Sequence, residues 1–195
     1  MEQELGGALG PRPLYLGTVT VCNGKHFDVL GHVWDKLVIA EFEAVDRPQP
    51  ADFRHLYTLV SDFLQKVNQH ASIPALSELA ARHVRSVTGY GRVMVYQFDP
   101  SGHGRVVAES LAPGYDSYLG QSFPASDIPA QARELYTLSP IRLIQDANYE
   151  PAPLVPGANP VTGGRNDLSF AALRSVSPVH LQYMRNMGTL ASMSV

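Results

Sequence analysis

Four side chains near the C-terminal end of the sequence could do chemistry together. His180, Tyr183, Met184 and Met187 recur at i, i+3, i+4 and i+7, on one face of a helix that opens at Ser177-Pro178. An imidazole, a phenol and two adaptable thioethers suit a pocket for a large flat ligand with a polar edge. The same residues also fit a core helix with one hydrogen-bonded histidine and a tyrosine whose hydroxyl reaches water, the commoner arrangement. Asp127 lies at a second helix start, where a carboxylate is stabilised and backbone N–H groups point outward; an ordinary cap is the simpler reading. Arg142 and Arg174 each stand beside apolar residues. Two guanidinium forks could hold a ligand with two carboxylates, or could be surface residues on strand edges.

Catalysis finds little support. Ser177, His180 and Asp127 are the residue types of a hydrolase triad, but Ser177 is placed as a helix cap and no Gly-x-Ser-x-Gly elbow surrounds it. The seven histidines (26, 32, 55, 70, 83, 103 and 180) show no His-x-x-x-His or facial-triad spacing, so no metal site is expected. Gly102-His103-Gly104 is a hairpin turn, too short to cradle a phosphate. The expectation is a protein with neither catalytic nor metal-binding residues.

Composition narrows the class further. The chain has 195 residues, 45% apolar and 17% charged, with 15 Lys and Arg against 18 Asp and Glu, a net charge of −3. That is enough apolar material for a buried core, and no basic run steers the chain to nucleic acid. The single cysteine, Cys22, excludes an internal disulfide framework and any cysteine-rich metal site. No apolar run approaches the ~18 residues of a membrane span, and MEQELGGALG lacks the order of a signal peptide. The default is a soluble cytoplasmic protein.

The elements that must position these residues can be read from pattern. Leu14–Cys22 and Lys25–Val33 read as strands joined at Asn23-Gly24, a strong hairpin signal, and Leu37–Glu43 as a third strand after Trp34-Asp35-Lys36. Apolar residues then follow helical spacing from Ala51 to His70 and from about Pro74 to Thr88, with Gly89 as the stop. Arg92–Phe98 and Arg105–Leu111 form a hairpin around Asp99–Gly104. Ser126-Asp127-Ile128-Pro129 starts a short helix to about Leu138, and Arg142–Asp146 is a short strand. Glu150–Asn166 is rich in proline and glycine and has no periodicity, so it reads as a functional loop. Ser177-Pro178 caps a helix to Met187, and Leu190–Val195 opens a strand.

At this point the sequence resembles a known family. FPASDIPAQARELY (123–136) and LRSVSPVHLQYMRNMG (173–188) look like the two signature stretches of the phytochrome GAF domain, most similar to bacterial phytochromes. GRVMVYQFDPSGHGRVVAES (91–110) fits that family's first GAF hairpin, and the opening meander looks like the last strands of the preceding PAS domain. The resemblance implies an α+β fold: residues 1–45 as the C-terminal part of a PAS domain, 46–52 as a linker, and 53–195 as a GAF domain with a central antiparallel sheet flanked by helices, lacking its last strands.

It also implies a ligand, the linear tetrapyrrole biliverdin, and a role as the light-sensing part of a red/far-red photoreceptor. By resemblance, the Asp127 carbonyl and the His180 ring hold the pyrrole nitrogens. Arg142 and Arg174 pair with the two propionates, helped by Ser177, Ser192 and Ser194. Tyr96, Phe123 and Tyr183 line the pocket of the rotating ring, and Ile128, Pro129 and Tyr136 shape its wall. The loop 154–166 corresponds to the lasso that the family threads with its N-terminal arm. The implied partners are a downstream PHY domain, an output module and a second copy in a homodimer, with no nucleic acid or membrane. One position departs from the plant and cyanobacterial pattern: Val179 stands where those proteins carry the bilin-linking cysteine. Cys22, placed in a strand opposite Val19 and Val21, is read as a small hydrophobe and not an attachment site. The other readings are a GAF regulatory module for another small ligand, which would need a phosphate cradle, and a hydrolase, which would need an elbow at Ser177.

Overall fold

The computed structural model describes residues 9–46, 53–70, 72–138 and 141–195, without side chains for 53–56. Apart from Asp46, the expected linker over 46–52 lies outside the described residues. Two compact units emerge, one made of Met1–Pro48 with Arg133–Val195 and the other of Gln49–Ala132. The first break falls at the expected linker; from Arg133 onward the chain is grouped with the opening meander.

In the first unit, β1 (Leu14–Thr20), β2 (His26–Trp34) and β3 (Leu37–Val45) form an antiparallel sheet in the order β1-β2-β3. The Asn-Gly pair predicts a two-residue turn with positive φ at both positions. Only Gly24 has it (φ 78°), so the connection is a longer loop closed by Val21 N–H donating to the Lys25 carbonyl at 2.9 Å. Cys22, expected within the strand, sits in this loop instead, exposed and with a free thiol. The mirror-image geometry appears one turn later, without glycine: Asp35 (φ 46°) and Lys36 (φ 64°) connect Trp34 to its partner Leu37. Left-handed backbone costs roughly 1–2 kcal/mol for each L-residue. A tertiary contact holds that turn: the buried Asn159 amide donates to the Asp35 carbonyl and carboxylate, both at 2.9 Å.

That contact ties the irregular loop to the meander. Trp34 Nε1 donates to Asp167 Oδ2 at 2.8 Å, and the Trp34 ring meets Phe170 edge-on at 4.6 Å between centroids. The loop has no helix or strand, as its composition predicts; a lone bridge joins Ala158 to Arg165. The remaining elements of this unit are β7 (Arg142–Ile144), α4 (Pro178–Asn186) and β8 (Ser192–Ser194), which pairs antiparallel with β7. Ala147, Leu181 and Met184 form their shared core, with Ile144, Tyr149 and Val176 packed against it.

The second unit contains α1 (Phe53–Val67), α2 (Ile73–Thr88), β4 (Arg92–Phe98), β5 (Gly104–Leu111) and β6 (Ser122–Phe123). Ser72 caps α2 by accepting from Ala75 N–H, and left-handed Gly89 closes it by donating to Arg85. The helix packs on β4 and β5, with Leu79, Ala81, Val106 and Ala108 buried. The sheet order is β4-β5-β6. Gly104 is there for close approach, since a Cβ at that position would overlap the Tyr96 ring. α3 (Ala130–Leu138) runs across the division in the chain at 132/133.

Candidate functional site

The first unit carries both arginines. β7 and β8 pair with Arg142 opposite Ser194 and Ile144 opposite Ser192. The two-residue period of a strand puts these four side chains on one face. Ile144 packs on the Ala147–Leu181–Met184 core, which anchors the strand pair beside α4. Arg142 is half-buried, and its Nε and Nη2 are shielded from water with no hydrogen-bond partner among the described residues. Its guanidinium carbon lies 5.7 Å from the centre of the Tyr136 ring.

Arg174 donates through Nη1 to the Ala171 carbonyl at 2.9 Å. Burial, and then the charge of Arg142, push its pKa below the ordinary guanidinium value, with Glu41, Tyr136 and Tyr149 acting in the opposite sense. Arginine nevertheless keeps its proton at neutral pH, so two like charges share a partly desolvated space. Unpaired donors there are costly, and a carboxylate ligand would satisfy them through charge-assisted hydrogen bonds. The Arg174 segment is held on both sides. Leu173 N–H donates to Glu41 Oε2, and Val176 N–H donates to the Tyr149 hydroxyl, each at 2.6 Å.

Ser177 occupies the expected N-cap position of α4, but its side chain makes no capping bond. Its carbonyl accepts from Leu181 N–H at 3.0 Å, and Pro178 supplies the first helical residue. The expected shared face of His180, Tyr183, Met184 and Met187 divides. Met184 turns with Leu181 into the core, Met187 is half-buried, and His180 and Tyr183 reach solvent. The reason is that Ala147 and Ile144 offer apolar partners on the Leu181–Met184 side. Desolvation by the adjoining protein lowers the His180 pKa, which favours the neutral ring. Val179 is 79% exposed.

The second unit gathers the aromatic candidates. Tyr96 lies 5.1 Å from Phe98 and 5.9 Å from Phe123, and Phe123 lies 6.4 Å from Tyr118. The pairing of Gly104 with Phe123 brings β6 beneath the Tyr96 ring. α3 begins at Ala130, later than the expected start at Ser126. Asp127 is therefore exposed in a turn ahead of the helix, with its N–H donating to the Pro124 carbonyl at 3.1 Å, and is not a cap. Ile128 is half-buried and Pro129 exposed.

The structure thus brings Tyr136, Arg142, Arg174, Ser192 and Ser194 into one neighbourhood of the first unit, and Tyr96 and Phe123 into one cluster of the second. Glu41 and His32 are absent from the sequence-based candidates. Both are buried, and the β3 alternation that turns Leu37 and Ile39 inward also turns Glu41 inward, a legible signal. Among the described residues no group of three or more His, Cys, Asp or Glu could hold a metal, and no helix is long and apolar enough to cross a membrane.

No protein-family model matches the chain. Individual relatives do. Cyanobacterial phytochrome B of a Nostoc species is 46% identical over 169 residues, covering 87% of this chain and 22% of the relative. The bacteriophytochrome of Pseudomonas aeruginosa is 45% identical over 176 residues, covering 88% of this chain and 24% of the relative. The chain therefore spans about a quarter of the length of these relatives. Among solved structures, a bacteriophytochrome from R. palustris superposes with a TM-score of 0.88 at 41% identity, covering 98% of this chain and 39% of that one. The chromophore-binding domain of a Stigmatella aurantiaca phytochrome gives 0.81 at 40% identity, covering 90% and 58%. The α+β arrangement of sheets and helices matches these PAS/GAF structures. With the signature stretches, the fold and the relatives in agreement, the chain belongs to the phytochrome family, as part of its bacterial photosensory region.

Proposed function

We propose that this chain binds biliverdin non-covalently with respect to position 179 and forms part of a red/far-red photoreceptor. The observation that carries the reading is the pair Arg142 and Arg174. Nε and Nη2 of Arg142 are shielded and have no partner among the described residues, and the charge of a second guanidinium reaches them, so the donor set fits the two propionates of a linear tetrapyrrole. Ser194, opposite Arg142, and Ser192 on the same face add hydroxyl donors. The neutral His180 ring and the Asp127 carbonyl are assigned to the pyrrole nitrogens, with Ser177 assisting the propionates. Tyr96, Phe123, Ile128, Pro129, Tyr136 and Tyr183 are assigned to the walls around the ring that turns.

The bound bilin supplies light absorption and Z/E isomerisation; the chain supplies charge neutralisation, orientation and a shaped wall. In the full-length protein the signal would pass to a PHY domain and an output module, in a cytoplasmic homodimer. The test is to add biliverdin to the full-length protein and record its absorbance. A red-shifted band that changes under red or far-red light is expected, and its absence would overturn the reading.

A further inference from the structure

The opening meander buries two ionisable side chains side by side. His32 on β2 is fully buried, and neither ring nitrogen has a hydrogen-bond partner among the described residues. Glu41 on β3 is 7% exposed; its Oε1 lies 3.9 Å from His32 Nδ1 and also lacks a hydrogen-bond partner there. A carboxylate placed so deeply without a full set of partners costs stability, so its position calls for a reason. Its other oxygen leads to one. Glu41 Oε2 takes the backbone N–H of Leu173 at 2.6 Å, the residue next to Arg174.

We propose that Glu41 is a positioning residue for the arginine pair. It clamps the backbone beside Arg174, and its charge stands in for part of the charge of the anionic ligand. This rests on the reading of Arg142 and Arg174 as a carboxylate site. Burial keeps His32 mostly neutral, so it does not cancel Glu41, whose field reaches Arg174 and offsets the repulsion from Arg142. Two consequences follow from one charge. Glu41 makes the ligand-free arginine pair tolerable, and it weakens the preference of that pair for a dianion.

The experiment measures the affinity of the full-length protein for biliverdin and for its uncharged dimethyl ester. The ratio of the two isolates the contribution of the carboxylates. Glu41→Gln keeps an oxygen acceptor for Leu173 N–H and removes the charge. It should raise the ratio by about threefold or more, and should lower the melting midpoint without ligand more than with it. The double variant His32→Phe/Glu41→Leu replaces the buried polar pair by apolar groups and should raise the ratio in the same direction if the single variant does not fold. Glu41→Asp keeps the charge and should hold the wild-type ratio. An unchanged ratio in the charge-removing variants, or an equal rise in Glu41→Asp, would overturn the proposal. If the wild type binds the acid and the ester equally well, the carboxylate reading of Arg142 and Arg174 fails first.

Discussion

Arg92 and Arg142 each open a β-strand, each is half-buried, and each has an Nε shielded from water without a hydrogen-bond partner among the described residues. Their surroundings diverge from there. Arg92 donates from Nη2 to the Asp116 carbonyl at 2.9 Å and lies over two rings, 4.0 Å from the centre of Tyr118 and 5.4 Å from that of Tyr115. Glu109 adds a carboxylate that accepts from the Ser117 hydroxyl and from Tyr118 N–H at 3.0 Å; against its burial, these bonds first and the Arg92 charge last lower its pKa. Arg142 leaves Nη2 unpartnered as well, and the charge it meets is that of Arg174. In the second unit the guanidinium is engaged by a loop carbonyl and two rings. In the first it remains available. Both residues keep a shielded Nε, so what sets Arg142 apart is its shielded Nη2, which has no hydrogen-bond partner among the described residues and could take a carboxylate.

The sharpest way to break this contrast is by substitution. Arg174→Ala should weaken biliverdin binding to the full-length protein by roughly ten- to a hundredfold, the size of lost charge-assisted hydrogen bonds. Arg92→Ala should leave that affinity nearly unchanged and lower the unfolding free energy by about 1–3 kcal/mol. Equilibrium titration and denaturant unfolding of both variants give the answer, and equal affinity losses would erase the distinction. Gly104→Ala asks whether the second unit is as tightly closed as its ring contacts indicate. The added methyl meets the Tyr96 ring, and strained repacking should cost about 1–3 kcal/mol, read from the urea midpoint. No shift would mean that the ring moves aside freely.

A smaller effect belongs to pH. His32 has a pKa lowered by burial, against a weaker opposing pull from Glu41. The unfolded chain therefore binds a proton in a range where the folded one does not. Stability is greatest above the ordinary histidine range and falls as pH drops through that range toward the lower folded value. His180 contributes in the same sense. Melting midpoints measured downward from neutral pH should decline, and His32→Phe should flatten the decline; an unchanged slope would remove His32 from the account.

Much of the architecture was legible because it depends on local spacing. Apolar, β-rich runs located every strand but the two-residue β6, and helical spacing located α1 and α2, with Pro74 near the start of α2 and Gly89 at its stop. The proline-rich loop was equally readable, since no periodicity could organise it. Errors clustered where a neighbour in space overrode the local signal. Asn23-Gly24 did not form the tight turn, whereas Asp35-Lys36 did, with Asn159 holding it from far along the chain. Ser177 reached the cap position without making the cap bond. Met184 is buried with Leu181 while His180 and Tyr183 of the same expected face stay exposed, because the apolar partners pack on that edge of the helix.

The order and type of every element but β6, the signature stretches and two arginines set among apolar residues are written in the sequence. Those properties reside in short spans of chain, where backbone preference and side-chain periodicity act. It took the folded structure to bring Arg142 close enough for its charge to act on Arg174, to set Ser194 across from Arg142, and to let Glu41 grip the neighbour of Arg174 from 132 residues away. Charge repulsion, desolvation and hydrogen-bond satisfaction depend on distance in space, and no spacing along a chain prescribes that distance.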